Sequence, residues 1–286
     1  MKGYLNYHEL REQLEGALKE LVDSGRWGEF LHFASRFSTY SPRNTLLIYG
    51  QCQKLGITPS YLAGYSRWKE LGRWVKKGSV GVRIVVPLTQ RTRVAESNYD
   101  GSLEPLDELK VVGFRAASIF DLSQTEGEPF EEPMAPKLLS GQGDQVAEEF
   151  LRNLLVRQGF TVVSGTLDEG VNGYTDFSGR VVALSDSLSD MQRLKTLAHE
   201  FAHASMHERG ATEREVAELE AETFAFLYMS GIGYDSVQYS APYLLRWAGG
   251  SVETALGGFE RAYSLFLEVA AKSSENDEVE SAACHG

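Results

Sequence analysis

TLAHEFAHASMHERGATEREVAELEAETFAF, residues 196–226, decides how the rest of the chain is read. Within it lies HEFAH, in which His199 and His203 stand four apart with Glu200 beside the first. On an α-helix, residues i and i+4 share a face, so both imidazoles reach one ion. Glu200 falls on the flank of that face, placed to touch a water on the same ion. The spacing is that of a two-histidine zinc site carrying its own general base. Leu197, Phe201, Ala202 and Met206 make the opposite side apolar, so this helix packs, unlike one whose histidines merely meet solvent. A catalytic zinc takes a third protein ligand and keeps one position open. On the next helical stretch, ELEAE offers Glu218 and Glu222 four apart. Glu218 is read as the third ligand, with Glu215 and Glu220 as competitors. Glu222 is read as the carboxylate that fixes a ligating histidine's tautomer. His207, one turn past His203, is read as a supporting histidine.

The 286 residues suggest two domains, and 42% hydrophobic with 24% charged residues is the composition of a soluble globular protein. Cys52 and Cys284 are too few and too far apart for a disulfide framework. The N-terminal MKGYLNYHELREQLEGAL carries charges throughout and has no apolar centre for a signal peptide. No run of eighteen apolar residues offers a membrane span. The expectation is a cytoplasmic protein without a membrane partner.

A net charge of −12 argues against nucleic acid until its distribution is seen. From Arg36 to Arg93 stand eleven cations and one acid, Glu70, a net +10 that leaves −22 for the remainder. Such separation creates a local field that the average conceals.

Taken in order, HELREQLEGALKELV reads as an amphipathic helix over Tyr7–Val22, and a second helix spans Trp27–Phe37. Ser41 and Pro42 open a third, which Gly56 closes. A short helix at Ser66–Leu71, a turn at Lys77–Gly78 and a strand at Val82–Leu88 follow. Ala95–Glu108 reads as an acidic loop, and Leu109–Asp121 as a strand paired with the preceding one. Ser123–Gly143, rich in Pro and Gly, is the natural boundary. Beyond it come a helix at Asp144–Gln158 and strands at Phe160–Val163 and Arg180–Leu184. Ser187 opens the helix that carries HEFAH. Further helices are expected at Thr212–Met229, Asp235–Ala248 and Val252–Ala271. The expected fold class is α+β in two domains, 1–130 and 140–273. The second is mainly helical with a small sheet, and an acidic disordered tail spans 274–286.

Phe37, Tyr40, Tyr49, Tyr61, Tyr65, Trp68 and Trp74 are interleaved with the cations of the basic block. Cations that follow phosphates and rings that stack on bases suit single-stranded nucleic acid. Each ring taken alone is as well explained by a hydrophobic core, and the block would also suit an acidic protein surface.

YSPRNTLLIYGQ (Tyr40–Gln51), GYSRWKELGRWVKKGSVGVRI (Gly64–Ile84) and FDLSQTEGEP (Phe120–Pro129) resemble the N-terminal single-stranded-DNA-binding domain of ArdC-type antirestriction proteins. The second half resembles the zincin-like, ImmA/IrrE-related metallopeptidase domain joined to it in that family. Together the resemblance covers most of Arg36–Met229. Where the plasmid antirestriction proteins have Tyr-Arg-Gly-x-Asn, this chain has TYSPRN, with Asn44 and the following apolar run matching. The resemblance implies single-stranded DNA as partner of the first domain. The candidate contacts are Arg36, Tyr40, Arg43, Asn44, Arg67, Trp68, Lys69, Arg73, Trp74, Lys76, Lys77 and Arg83. It also implies Zn2+ held by His199, His203 and Glu218, with Glu200 as catalytic base toward a protein or peptide substrate. The strand at Arg180–Leu184 would receive that substrate by strand addition, and Tyr228 and Tyr234 are candidates to stabilise an oxyanion. The competing expectation is a non-catalytic coat of single-stranded DNA whose zinc site is structural.

Overall fold

Helix α1 (Trp27–Arg36) has Glu29 in its first turn and Arg36 in its last, each favourable to the helix dipole. Helix α2 (Pro42–Leu55) begins on Pro42, whose fixed φ suits a first turn, and stops at Gly56, which adopts φ 63°. The computed structural model describes residues 12, 16–21, 24–37, 39–97, 103–130, 143–208, 210, 212–234 and 251–283. Of the helix expected at Tyr7–Val22, residues 16–21 are described and helical. The helix expected at Asp235–Ala248 lies outside the described residues. Contacts divide the chain into two compact units, one of Met1–Leu14 with Leu47–Glu132 and one of Glu15–Leu46 with Pro133–Gly286.

In the first unit β1 (Leu62–Gly64), α3 (Tyr65–Glu70), β2 (Arg73–Val75), β3 (Val82–Ser97), β4 (Leu103–Asp121) and β5 (Thr125–Gly127) follow one another. They make a sheet of order β1-β4-β3 and a small ladder of β2 with β5. β3 and β4 form a long antiparallel hairpin from Val82↔Ile119 to Ser97↔Leu103, with a register shift at Leu88/Thr89. The loop expected at Ala95–Glu108 is therefore mostly ladder. Ladder bonds are made by the backbone, and an acidic composition does not forbid them.

In this unit the end of the first stretch that carried the family resemblance, Leu47–Gln51, and the other two stretches hold one another. Trp68 is fully buried, and its indole N–H donates to the Phe120 carbonyl at 2.9 Å. Asp121, 1% exposed, accepts from the backbone N–H of Ser60 (2.8 Å) and Ser123 (2.9 Å), while Gln124 closes the capping box. The Gln51 amide pairs twice with the backbone of Arg83, at 2.8 Å each way. The stretch expected as a boundary from Ser123 thus begins inside the unit, through the pairing of β5 with β2.

The second unit contains α4 (Gly143–Arg157), β6 (Thr161–Gly165), β7 (Gly173–Asp176), β8 (Val181–Ser185), α5 (Asp190–Met206), α6 (Arg214–Gly231) and α7 (Val252–Ala283). Its sheet has the order β6-β8-β7, with β8 parallel to β6 and antiparallel to β7. β8 is central. Its ladder groups on both sides are taken, so the strand expected to receive a peptide at Arg180–Leu184 cannot do so. β7, an edge strand, escaped the sequence reading because GYTD is short and carries no apolar alternation.

Ser189, rather than Ser187, caps the α5 N-terminus by accepting from Gln192 N–H. Along α6, Phe224, Ala225, Phe226, Leu227 and Tyr228 are all fully buried, so that helix is enclosed on every side. α7 runs to Ala283, so residues 274–283, expected as a disordered tail, are helical. α1 completes the core: Trp27 and Phe30 lie 6.1 and 4.8 Å from Phe259 between ring centroids. The Tyr263 hydroxyl reaches the carbonyls of Ala34 and Phe37 at 3.2 and 3.1 Å. Burying each such ring contributes about 1.5–3 kcal/mol.

Candidate metal centre and basic surface

α5 buries Leu194, Leu197, Ala198, Phe201 and Ala202, each 0–1% exposed, and Phe201 stacks toward Phe224 of α6 at 5.4 Å. That packing turns His199 and His203 toward the start of α6. Their Nε2 atoms lie 3.1 Å apart, and Glu218 Oε2 lies 3.3 Å from the first and 3.9 Å from the second. Donors each about 2.0–2.2 Å from a tetrahedral ion stand roughly 3.3 Å apart. The three atoms fit. Two imidazoles and a carboxylate suit zinc and also other first-row divalent ions. Among the described residues, this trio is the group placed to hold a metal.

Each histidine is backed by a polar chain. His199 Nδ1 faces Glu222 Oε2 at 3.4 Å, and Glu222 Oε1 accepts from Lys195 Nζ at 2.6 Å. His203 Nδ1 meets His207 Nδ1 at 2.8 Å, and His207 Nε2 meets Glu220 Oε2 at 3.1 Å. Glu220 Oε1 accepts two N–H groups of Arg261, at 2.8 and 2.6 Å. Glu220, a competitor for ligand by sequence, therefore faces away from the trio. Burial disfavours the His199 imidazolium, but bonds to Glu218 and Glu222 and the charge of Glu200 outweigh it and raise its pKa to about 9. His199 and His203 hold the Glu218 carboxyl well below the usual carboxylate range. Burial opposes the Glu220 charge, yet His207 and Arg261 keep its pKa below the ordinary value.

Glu200 is 7% exposed, and Thr175 of β7 donates to its Oε2 at 2.8 Å. It lines a cavity of about 710 Å³ together with His199, Glu222, Lys195, Met191 and Tyr234. Gly173 of β7 lies on the same wall, where an added Cβ would meet Thr196 Cγ2 at 2.8 Å and the Ala183 carbonyl at 2.9 Å. Of the two tyrosines considered, Tyr228 is buried and donates to the Ala147 carbonyl at 2.9 Å, which removes it from the cavity. Burial also pushes its phenol well above the usual range. Lys195 was missed by the sequence reading, although its place one turn before His199 was a signal that could have found it. Thr175 and Arg261 had no such signal, because nothing in the sequence links β7 or α7 to HEFAH.

The structure sorts the basic block. Trp68 is withdrawn from the candidate contacts: its ring packs on Tyr61 and Phe130 at 5.3 and 5.5 Å and offers no face to a base. Asn44, 8% exposed, is buried too, as are Phe37 and Tyr49. Arg73 spends its fork on the Thr125 hydroxyl and on the carbonyls of Thr125 and Glu128. Arg83 is half-buried and donates to the Ser118 hydroxyl at 3.2 Å. Arg43 pairs with Glu260 at 2.7 Å, and Arg67 with Glu70 at 3.0 Å. Arg36, Lys69, Lys76 and Lys77 are exposed, and Tyr40 is half-exposed. Lys76 also donates to the Ser123 carbonyl at 2.9 Å. Trp74 and Tyr65 are the rings left open, 49% and 56% exposed. Arg36, Tyr40, Arg43 and Asn44 belong to the unit of Glu15–Leu46 with Pro133–Gly286, and the other candidates to the first unit. Among the described residues, no helix is long and apolar enough to cross a membrane.

Residues 7–120 match the family model described as the N-terminal domain of anti-restriction factor ArdC, and residues 157–230 that of the IrrE N-terminal-like domain, a peptidase family. An uncharacterized protein of Bacillus anthracis is 25% identical over 257 residues, covering 77% of this chain and 42% of that protein. The chain thus spans less than half the length of that curated relative. Among solved structures, the Mn(II)-bound antirestriction ArdC protein from the R388 plasmid is 17% identical with a TM-score of 0.51. Its metal-free form is 18% identical with a TM-score of 0.49. In both cases the match covers 83% of this chain and 86% of the other. The α+β fold read from the sequence is the fold of that protein, and the chain is similar to an ArdC N-terminal domain over residues 7–120 and to an IrrE-like domain over residues 157–230.

Proposed function

We propose that the protein is a single-stranded-DNA-binding zinc metallopeptidase that acts on a DNA-associated protein and serves, as an antirestriction factor would, the DNA of a mobile element. The convergence of His199 Nε2, His203 Nε2 and Glu218 Oε2 beside Glu200 in one cavity carries this reading. A bound zinc supplies Lewis acidity and brings the pKa of a coordinated water toward about 7. Thr175 engages Glu200 Oε2 and thereby leaves the proton work to Oε1, which takes the proton of the attacking water. That proton then passes to the leaving amine. Tyr234, on the cavity wall, is the remaining tyrosine candidate for the developing oxyanion. Among the described residues no strand pairs with the outer edge of β7, and Thr175 on that strand bonds Glu200, which suits an extended peptide added as a further strand. A structural zinc site needs no base, so the intact set favours retained chemistry over a coat protein.

For the first unit, Trp74, Tyr65, Lys69, Lys76 and Lys77 supply the rings and charges that single strands use. The test measures anisotropy of a labelled single-stranded oligonucleotide against its duplex over a salt series, with metal content read on the same sample. Salt-dependent, single-strand-preferring binding with one zinc per chain supports the proposal, and absence of oligonucleotide binding removes DNA from it. Peptidase activity is scored on a peptide library, where Glu200→Gln keeps the metal and lowers cleavage by about 10²–10⁴-fold. Cleavage unaffected by that substitution would end the catalytic half.

A further inference from the structure

We propose that Arg261 of α7 is a positioning residue of the metal centre, acting on His203 through Glu220 and His207; this rests on the metal-binding reading above. A neutral histidine that ligates through Nε2 carries its proton on Nδ1. His203 Nε2 faces His199 and Glu218, so its Nδ1–H must donate to the atom 2.8 Å away, His207 Nδ1. His207 then accepts at Nδ1 and holds its own proton on Nε2. That proton is donated to Glu220 Oε2 at 3.1 Å, and Glu220 Oε1 is clamped by Arg261. One set of proton positions satisfies every group from Arg261 to His203, and in that set His203 Nε2 has a lone pair for the ion.

Take Arg261 away and Glu220, 1% exposed, is a buried carboxylate with one partner fewer. Its Oε2 is then no longer held against His207 Nε2, and His207 loses the acceptor that fixes its tautomer. With a proton on Nδ1 instead, His207 would face the Nδ1–H of His203 donor to donor. The ligating tautomer of His203 is then disfavoured, and its ring is no longer held. The same logic on the other ligand is local, since Lys195 and Glu222 come from α5 and α6 themselves.

The packing of α7 is cut to make this reach possible. An added Cβ at Gly258 would meet Leu219 Cδ2 at 2.8 Å, and one at Gly257 would meet Arg261 Nη1 at 3.4 Å. Gly258 lets α7 come close onto α6 one turn before Arg261, and Gly257 leaves room beside the Arg261 guanidinium. Arg261 lies beyond residues 157–230, the span matched by the IrrE-like model.

The test uses the full chain, with zinc affinity from chelator competition and the visible spectrum of the Co(II)-substituted protein as a readout of ligand geometry. Arg261→Met should weaken zinc binding by about 10–100-fold and shift the Co(II) bands, while Arg261→Lys should recover most of the loss. Arg193→Met, which breaks the ion pair of α5 with Glu148 of α4 and the pair with Asp190 within α5, serves as a control for a merely structural tie. His207→Asn cuts the same chain at a second point. The double variant with Arg261→Met should then bind zinc no more weakly than His207→Asn alone. Zinc affinity and Co(II) bands of Arg261→Met like wild type, or free energies that simply add in the double variant, would overturn the proposal. Absence of zinc binding by the wild-type chain would instead overturn the metal reading beneath it.

Discussion

The candidate metal centre and the basic block differ in how their residues come to be placed. At the metal centre, helix geometry alone brings His199 and His203 together, and the next helix delivers Glu218 within 19 residues of His199. In the basic block, Trp68 and Trp74 are six residues apart and equally aromatic. One is fully buried and bonded to Phe120, and the other is half exposed. Periodicity fixes the first arrangement, whereas tertiary packing decides the second. A motif in which residues must meet one another can be read along the chain. One in which residues must stay open to solvent cannot.

The largest effects should come from the ligands. His203→Ala should weaken zinc binding beyond the roughly 10–100-fold that loss of a supporting residue costs, as seen by chelator competition. Next, the two tryptophans should separate cleanly. Trp68→Ala should cost about 3–5 kcal/mol of stability in denaturant unfolding, the usual cost of emptying a buried indole site. Trp74→Ala should leave stability almost unchanged and weaken oligonucleotide binding by about 1–3 kcal/mol. Equal losses of stability in the two would erase the contrast between buried and open rings.

A pH series sharpens the metal side. The pKa of His199 is raised to about 9 in the folded, metal-free chain, above its ordinary value near 6.5. Its contribution to stability is therefore fully present below about pH 6.5 and lost as pH rises through about 9. Over the same window the metal must displace that proton, so zinc affinity should rise by about tenfold per pH unit and flatten above it. Affinity independent of pH there would show that His199 is not the protonated ligand. Smallest is Arg67→Ala. Its pair with Glu70 is exposed on both sides, so the melting temperature should stay at the wild-type value.

Most helices were legible, because Pro42, Gly56 and the apolar stripes mark them in the sequence. The meeting of His199, His203 and Glu218 was legible for the same reason. Thr175 was not, since its strand GYTD has no periodic signature and is ordered by pairing with β8. The central place of β8 was equally hidden: alternation marks a strand but says nothing of its neighbours. Arg261 belongs with these, because only the close approach of α7 at Gly258 brings it to Glu220.

The partnership of α1 with α7 has a consequence for synthesis. Trp27 and Phe30 leave the ribosome early, yet Phe259, against which they pack, follows more than two hundred residues later. The second unit cannot close its core until that late helix has been made, and contacts of such sequence separation are slow to form. Until then α1 has at most α6 to pack on, and its Trp27 and Phe30 rings lack their Phe259 partner. Detaching residues 15–46 from a fragment that begins at 133 would leave Phe259 and Tyr263 uncovered for good.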